Sequence, residues 1–159
     1  MKYKCPLIVV EDIAISRKFY EDILGQKVIV DFGANITFEG DFALQTKNTW
    51  VEFIDKTTDD VASKSNNFEL YFEEEQFNAF VERLKSYNIE KVHDIKEFPW
   101  GQRVIRFYDP DMHIIEVGES MACVVRRFIA QGLSIVETAE RTQHPIEFVK
   151  SCISAEHAG

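Results

Sequence analysis

The sequence predicts an α+β protein of two β-α-β-β-β modules forming a curved mixed sheet around a cleft, followed by a helical C-terminal extension. Three observations lead there. Short alternating apolar runs are separated by Gly, Asn and Asp, as antiparallel strands are. One helical stripe lies early in each half. The element order of residues 5–57 then returns in residues 68–118.

The first module opens with CPLIVV, residues 5–10, an apolar and β-branched run. Glu11 and Asp12 follow as helix-start signals, Ile13, Arg17, Tyr20 and Leu24 keep helical spacing, and Gly25 stands where a C-cap glycine would. QKVIVDF, NITFEG and DFALQTK then read as three strands. Residues 58–67, TDDVASKSNN, are polar and small and form a linker. In the second module NFELYFE is a strand, Phe77, Phe80, Val81 and Leu84 make a helical stripe, and VHDIKEF, QRVIRFY and HIIEVGE are strands. A shift of 64 residues lays Ile13 on Phe77, Arg17 on Val81 and Tyr20 on Leu84. The predicted domain is therefore residues 1–118, with modules at 1–57 and 68–118.

Residues 119–159 change character and read as two or three short helices. The first spans 121–130, the second has Ser134 as N-cap with Glu137 in capping-box position, and the third begins at Pro145. The last two resemble a helix-turn-helix in outline. From residue 119 on, however, four basic residues (Arg126, Arg127, Arg141, Lys150) face five acids (Glu119, Glu137, Glu140, Glu147, Glu156). A helical cap over the sheet or a second subunit is the expected role.

Composition narrows the function classes. A chain of 159 residues with 45% hydrophobic content, 13 Phe and only 11 Gly plus Pro can bury a core without staples. A net charge of -9 disfavours nucleic acid and anionic membranes as partners. Three cysteines without CxxC spacing, and an N-terminus too short in apolar residues for a leader or a membrane span, point to a cytoplasmic protein with reduced thiols.

Strand alternation selects the cleft-facing side chains. If Ile8 and Val10 cover the helix, Cys5, Leu7 and Val9 face the cleft. If Phe42 and Leu44 enter the core, Gln45 does not. With Leu70 and Phe72 inward, Glu69 and Tyr71 turn to the cleft, and with Ile115 and Val117 inward, so does Glu116. Cys5 and Glu69 correspond under the 64-residue shift, and Gln45 takes the place corresponding to Glu116. Four potential ligands thus surround a pseudo-twofold axis, able to hold one divalent ion. Trp100, Arg103 and Tyr71 are candidates for binding substrate: aromatics supply contact area and an arginine pairs a carboxylate. Met112 ends the DPDM turn where glycine would be at ease, at a cost of about 1 kcal/mol.

The runs DIAISRKFYEDILG and PWGQRVIRFYDPDMHIIEVGE, with the doubled module order, resemble the glyoxalase, bleomycin-resistance and extradiol-dioxygenase superfamily, the vicinal oxygen chelate proteins. The resemblance covers about three quarters of the chain. It implies a divalent metal (Mn, Zn, Ni or Fe) on Cys5, Gln45, Glu69 and Glu116, with Glu116 in the last ligand position and Gln45 where Glu is usual. Cys5 and Glu69 stand where histidines are common, and none of His93, His113, His144 and His157 falls at a ligand position. A metal-assisted lyase or isomerase is then expected, with Glu116 and Glu69 moving protons and a small-molecule substrate. The alternative is a metal-free ligand- or drug-binding protein of the bleomycin-resistance type, with no cofactor. A homodimer is expected in either case.

Overall fold

The computed structural model describes residues 1–154; Glu156 and His157, named above, lie outside the described residues. The chain divides into two compact units, Met1–Phe68 with Tyr108–Ile114, and Glu69–Phe107 with the chain from Ile115 on.

The first unit runs β1 (Leu7–Val10), α1 (Ile13–Asp22), β2 (Val28–Asp31), β3 (Asn35–Phe38), β4 (Phe42–Thr46) and α2 (Lys47–Phe53). The second runs β5 (Glu69–Glu74), α3 (Phe77–Leu84), β6 (Lys91–Glu97), β7 (Arg103–Tyr108) and β8 (Ile114–Glu119), then α4 (Met121–Ala130), α5 (Ile135–Thr142) and α6 (Ile146–Ser154). The strands form two four-stranded sheets, ordered β1-β4-β3-β2 and β5-β8-β7-β6. The same permutation in both sheets is the repeat seen in the sequence. In the first sheet β1 pairs parallel with β4 and the other pairings are antiparallel.

The helices begin 64 residues apart, at Ile13 and Phe77. Asp12 caps α1 by accepting from the amides of Ala14 and Ile15 at 2.8 and 3.1 Å. It satisfies two of the amide groups that a helix start leaves unpaired. In the first unit Tyr20, Phe38, Phe42 and Leu44 are buried, with Phe38 stacked on Phe42 at 4.6 Å between centroids. In the second, Phe77, Phe80 and Leu84 of α3 are buried, as are Ile105, Phe107, Ile115 and Val117 of the sheet. Helical period 3.6 and strand period 2 converge on these residues, as the alternation argument required.

Three details differ from the sequence reading. β1 begins at Leu7, two residues later than expected, because Pro6 has no amide to give to a ladder. Helix α2 follows directly on β4, where a strand end was expected; at seven residues with Val51 as its buried residue it is too short to show a periodicity. The linker contains a 3-10 turn at Thr58–Asp60, closed by Thr57, whose amide and hydroxyl both donate to Asp60 Oδ2 at 2.9 Å.

In the C-terminal extension Ser134 Oγ accepts from the Glu137 amide while the Ser134 amide donates to Glu137, the reciprocal cap expected. Val125, Ala139, Val149 and Cys152 form the shared core of α4, α5 and α6. Val136 and Ile146 of these helices are exposed. Among the described residues no helix is long and apolar enough to cross a membrane.

Candidate functional site

The second sheet has one face under α3 and one face that carries polar side chains. On β8, Ile115 and Val117 point to the core, so Glu116 and Gly118 point away. On β7, Ile105 and Phe107 are buried under α3, with Phe107 6.3 Å from the Phe80 ring, so Arg106 shares the face of Glu116. On β5, Glu69 and Tyr71 lie on that face too.

Arg106 is the centre of the group. Its Nε donates to Glu69 Oε2 at 2.9 Å, and its Nη2 contacts Glu116 Oε2. Its Nη1 meets His93 Nε2 at 3.3 Å, and its guanidinium lies 5.7 Å from the centroid of the Phe98 ring. Glu116 is only 7% exposed, so this pairing is what makes a carboxylate tolerable in an apolar strand. Two carboxylates against one guanidinium leave the group formally anionic by one unit.

An aromatic and amide chain continues from it. Phe98 stacks on Trp100 at 4.8 Å, Trp100 Nε1 donates to Gln102 Oε1 at 3.1 Å, and Gln102 Nε2 donates to Tyr71 Oη at 2.7 Å. Tyr71 Oη in turn donates to Glu73 at 2.9 Å. Burial, with Glu73 adding to it and the Gln102 bond opposing, pushes the Tyr71 hydroxyl up to about 12. Gly118 makes room for this chain: a Cβ there would come within 2.7 Å of Gln102 Nε2 and 3.1 Å of the Tyr71 ring.

The other residues singled out from sequence fall as follows. Gln45 is buried, not turned out to solvent; its Oε1 accepts from Asn35 Nδ2 at 3.0 Å and its Nε2 donates to Thr49. Cys5 is half-buried ahead of β1 and is not in a disulfide. Arg103 lies on the α3 face, opposite Glu116. It donates to both Glu119 oxygens, at 3.0 and 2.9 Å, and to Asn78, and covers the Phe77 ring. Burial tends to raise the Glu119 carboxyl, but the bonds from Arg103 and Arg127 outweigh it and hold it below the ordinary range. Arg106 and His93 were missed. Parity on β7 could have found Arg106, since a core-facing Ile105 and Phe107 put residues 103 and 106 on opposite faces. Among the described residues no group of three or more His, Cys, Asp or Glu side chains is placed to hold a metal ion.

The chain matches the glyoxalase-like domain over residues 3–122. It belongs to the glyoxalase-like family. A protein of unknown function from Agrobacterium tumefaciens is 36% identical, with a TM-score of 0.67 over 76% of this chain and 94% of that one. A glyoxalase/bleomycin resistance protein/dioxygenase from Nocardioides is 21% identical, with a TM-score of 0.59 over 75% of this chain and 83% of that one. A fosfomycin resistance protein from Mesorhizobium loti is 15% identical, with a TM-score of 0.53 over 75% of this chain and 92% of that one. The last two share the fold. Curated proteins yield no match. This glyoxalase-like chain thus carries the two modules of its family and a helical extension from α4 onward.

Proposed function

We propose that this glyoxalase-like protein binds a small organic molecule without a metal, on the open face of its second sheet. The observation that carries this reading is the Arg106 guanidinium, whose N–H groups meet Glu69, Glu116 and His93. A divalent ion needs carboxylate lone pairs directed at it. Here Glu69 Oε2 accepts from Arg106 Nε, Glu116 Oε2 lies in ion-pair contact with the same guanidinium, and the Gln45 carbonyl accepts from Asn35. Gln45, Glu69 and Glu116 thus each face protein N–H groups where a metal would need their oxygens.

The ligand class follows from charge and shape. An acidic group beside stacked Phe98 and Trp100 and a half-exposed Tyr71 suits a planar or cationic molecule. Aromatic faces attract cations and rings, and the surplus carboxylate charge pairs a ligand amine. Sequestration of such a compound is the function we infer, in preference to a lyase or isomerase reaction. A homodimer belongs to the same proposal. It is supported by β2, the outer strand of the first sheet, which exposes Ile29 and Val30, with Phe32 exposed just beyond it.

Thermal shift tests it. Bleomycin, a glycopeptide that carries a planar bithiazole and a cationic tail, is expected to raise Tm at saturation, while Mn, Zn, Ni and Fe added singly to chelator-treated protein leave it unchanged. A rise with any one ion, with near-stoichiometric uptake on elemental analysis, would transfer the site to the metal-assisted lyase or isomerase reading.

A further inference from the structure

The first unit contains a pocket of about 130 Å³ that the Arg106 group does not use. The end of β1, the start of α2, the linker and the Asp109–His113 turn enclose it. Val9, Val61 and Pro110 form apolar walls, and Glu11, Lys47, Asp111 and His113 supply its charge. The volume equals about four liquid waters.

The turn is built to hold one imidazole still. Asp109 Oδ1 accepts from the Asp111 and His113 amides at 2.9 and 2.8 Å. Asp109 Oδ2 takes the buried Tyr20 hydroxyl and His113 Nδ1, both at 2.9 Å. With Nδ1 engaged, Nε2 is the polar atom His113 has left to offer. Lys47 is 20% exposed in its side chain and gives one of its three N–H groups to Glu11.

The acids around these donors are already engaged. Asp111 accepts the Glu11 amide on one oxygen and Ser16 Oγ on the other, both at 2.7 Å. The Glu11 carboxylate is mostly exposed and can swing away from Lys47. The donors left among the lining residues, His113 Nε2 and the Lys47 N–H groups not given to Glu11, are therefore cationic or able to become so.

We propose that this pocket binds a small carboxylate of about two to four carbons, its oxygens shared between Lys47 Nζ and His113 Nε2 and its carbons against Val9, Val61 and Pro110. Titration favours it in one direction. Burial acts to lower the His113 imidazole, but the bond and charge of Asp109, with Asp111 adding, leave it raised. Burial also raises the Asp111 carboxyl, with Asp109 adding and the Glu11 amide, Ser16 and His113 opposing. As pH falls His113 gains charge and Asp111 loses it, so both changes strengthen an anion's hold.

Calorimetric titration of the full chain with acetate, propionate and lactate tests this. One saturable site is expected near pH 6, weakening by about tenfold near pH 8.5. Lys47→Met and His113→Gln should each weaken it by about tenfold or more. Glu11→Gln, which releases Lys47, should strengthen it, an effect that a structural role for these residues would not produce. The His113→Gln variant is checked for folding by circular dichroism, and Lys47→Met serves alone if it fails. No saturation below about 50 mM, binding indifferent to Lys47→Met, or binding that strengthens as pH rises would overturn the assignment.

Discussion

Replacing Arg106 by Met keeps most of the buried stem and removes the guanidinium. Glu116, buried on β8, then has no cation beside it. Breaking a buried ion pair from one side costs about 3 to 5 kcal/mol. Two features reduce that figure here. Glu69 is 41% exposed in its side chain, so losing its share costs about 1 kcal/mol or less, and Arg106 itself is 22% exposed. A loss of about 3 kcal/mol is expected, a fall in Tm of roughly 6 to 12 °C for a chain of this size. The loss should depend on pH with a definite sign. An unpaired buried carboxylate holds a proton more tightly folded than unfolded, so the deficit is full at neutral pH and shrinks as pH falls toward about 5. Adding Glu116→Gln to Arg106→Met should restore stability at pH 7, since a neutral amide tolerates burial better than a bare charge. Urea unfolding followed by circular dichroism at the two pH values reads all of this. A loss below about 0.5 kcal/mol at pH 7, or one that grows on acidification, would refute the account of Glu116.

Three further outcomes are expected. Gly101→Ala should destabilise by about 2 kcal/mol or more in thermal unfolding, because its φ of 87° suits glycine and a Cβ would come within 2.2 Å of the Phe128 ring. Met112→Gly should stabilise by about 0.5 to 1 kcal/mol, since Met112 sits at φ 68° and glycine takes that conformation without strain. Glu119→Gln should cost more stability at pH 7 than at about pH 2. The Glu119 carboxyl is held below its ordinary range, so its contribution is present above that range and is lost as pH falls through its folded value. Denaturation midpoints at the two pH values check it.

The repeat was legible because it rests on spacing alone. A buried helix face repeats every three to four residues and a sheet face every two, so Ile13 and Phe77 could be matched before any contact was known. The Ser134–Glu137 cap was readable for the same reason, being local. Met112 was also legible as a left-handed turn residue, and the structure shows why the turn survives without glycine: Asp109 takes four hydrogen bonds within it and from Tyr20. Helix α2 was not legible, since seven residues with one buried side chain leave no period to detect.

The site divides along the same line. Strand parity by itself placed Glu69, Tyr71 and Glu116 on one face of the second sheet. Parity cannot name the partner of a carboxylate, because the partner comes from another strand at a register that only the folded sheet defines. Arg103 and Arg106 are both arginines on β7, three residues apart, and an odd separation puts them on opposite faces. One closes an ion pair with Glu119 against α3; the other pairs its guanidinium with Glu69 and Glu116 and meets His93. Sequence thus determined the modules, the helix faces and the acid on β8. Tertiary structure decided that this acid faces a guanidinium, because charge pairing is settled by distances between strands and not by order along the chain.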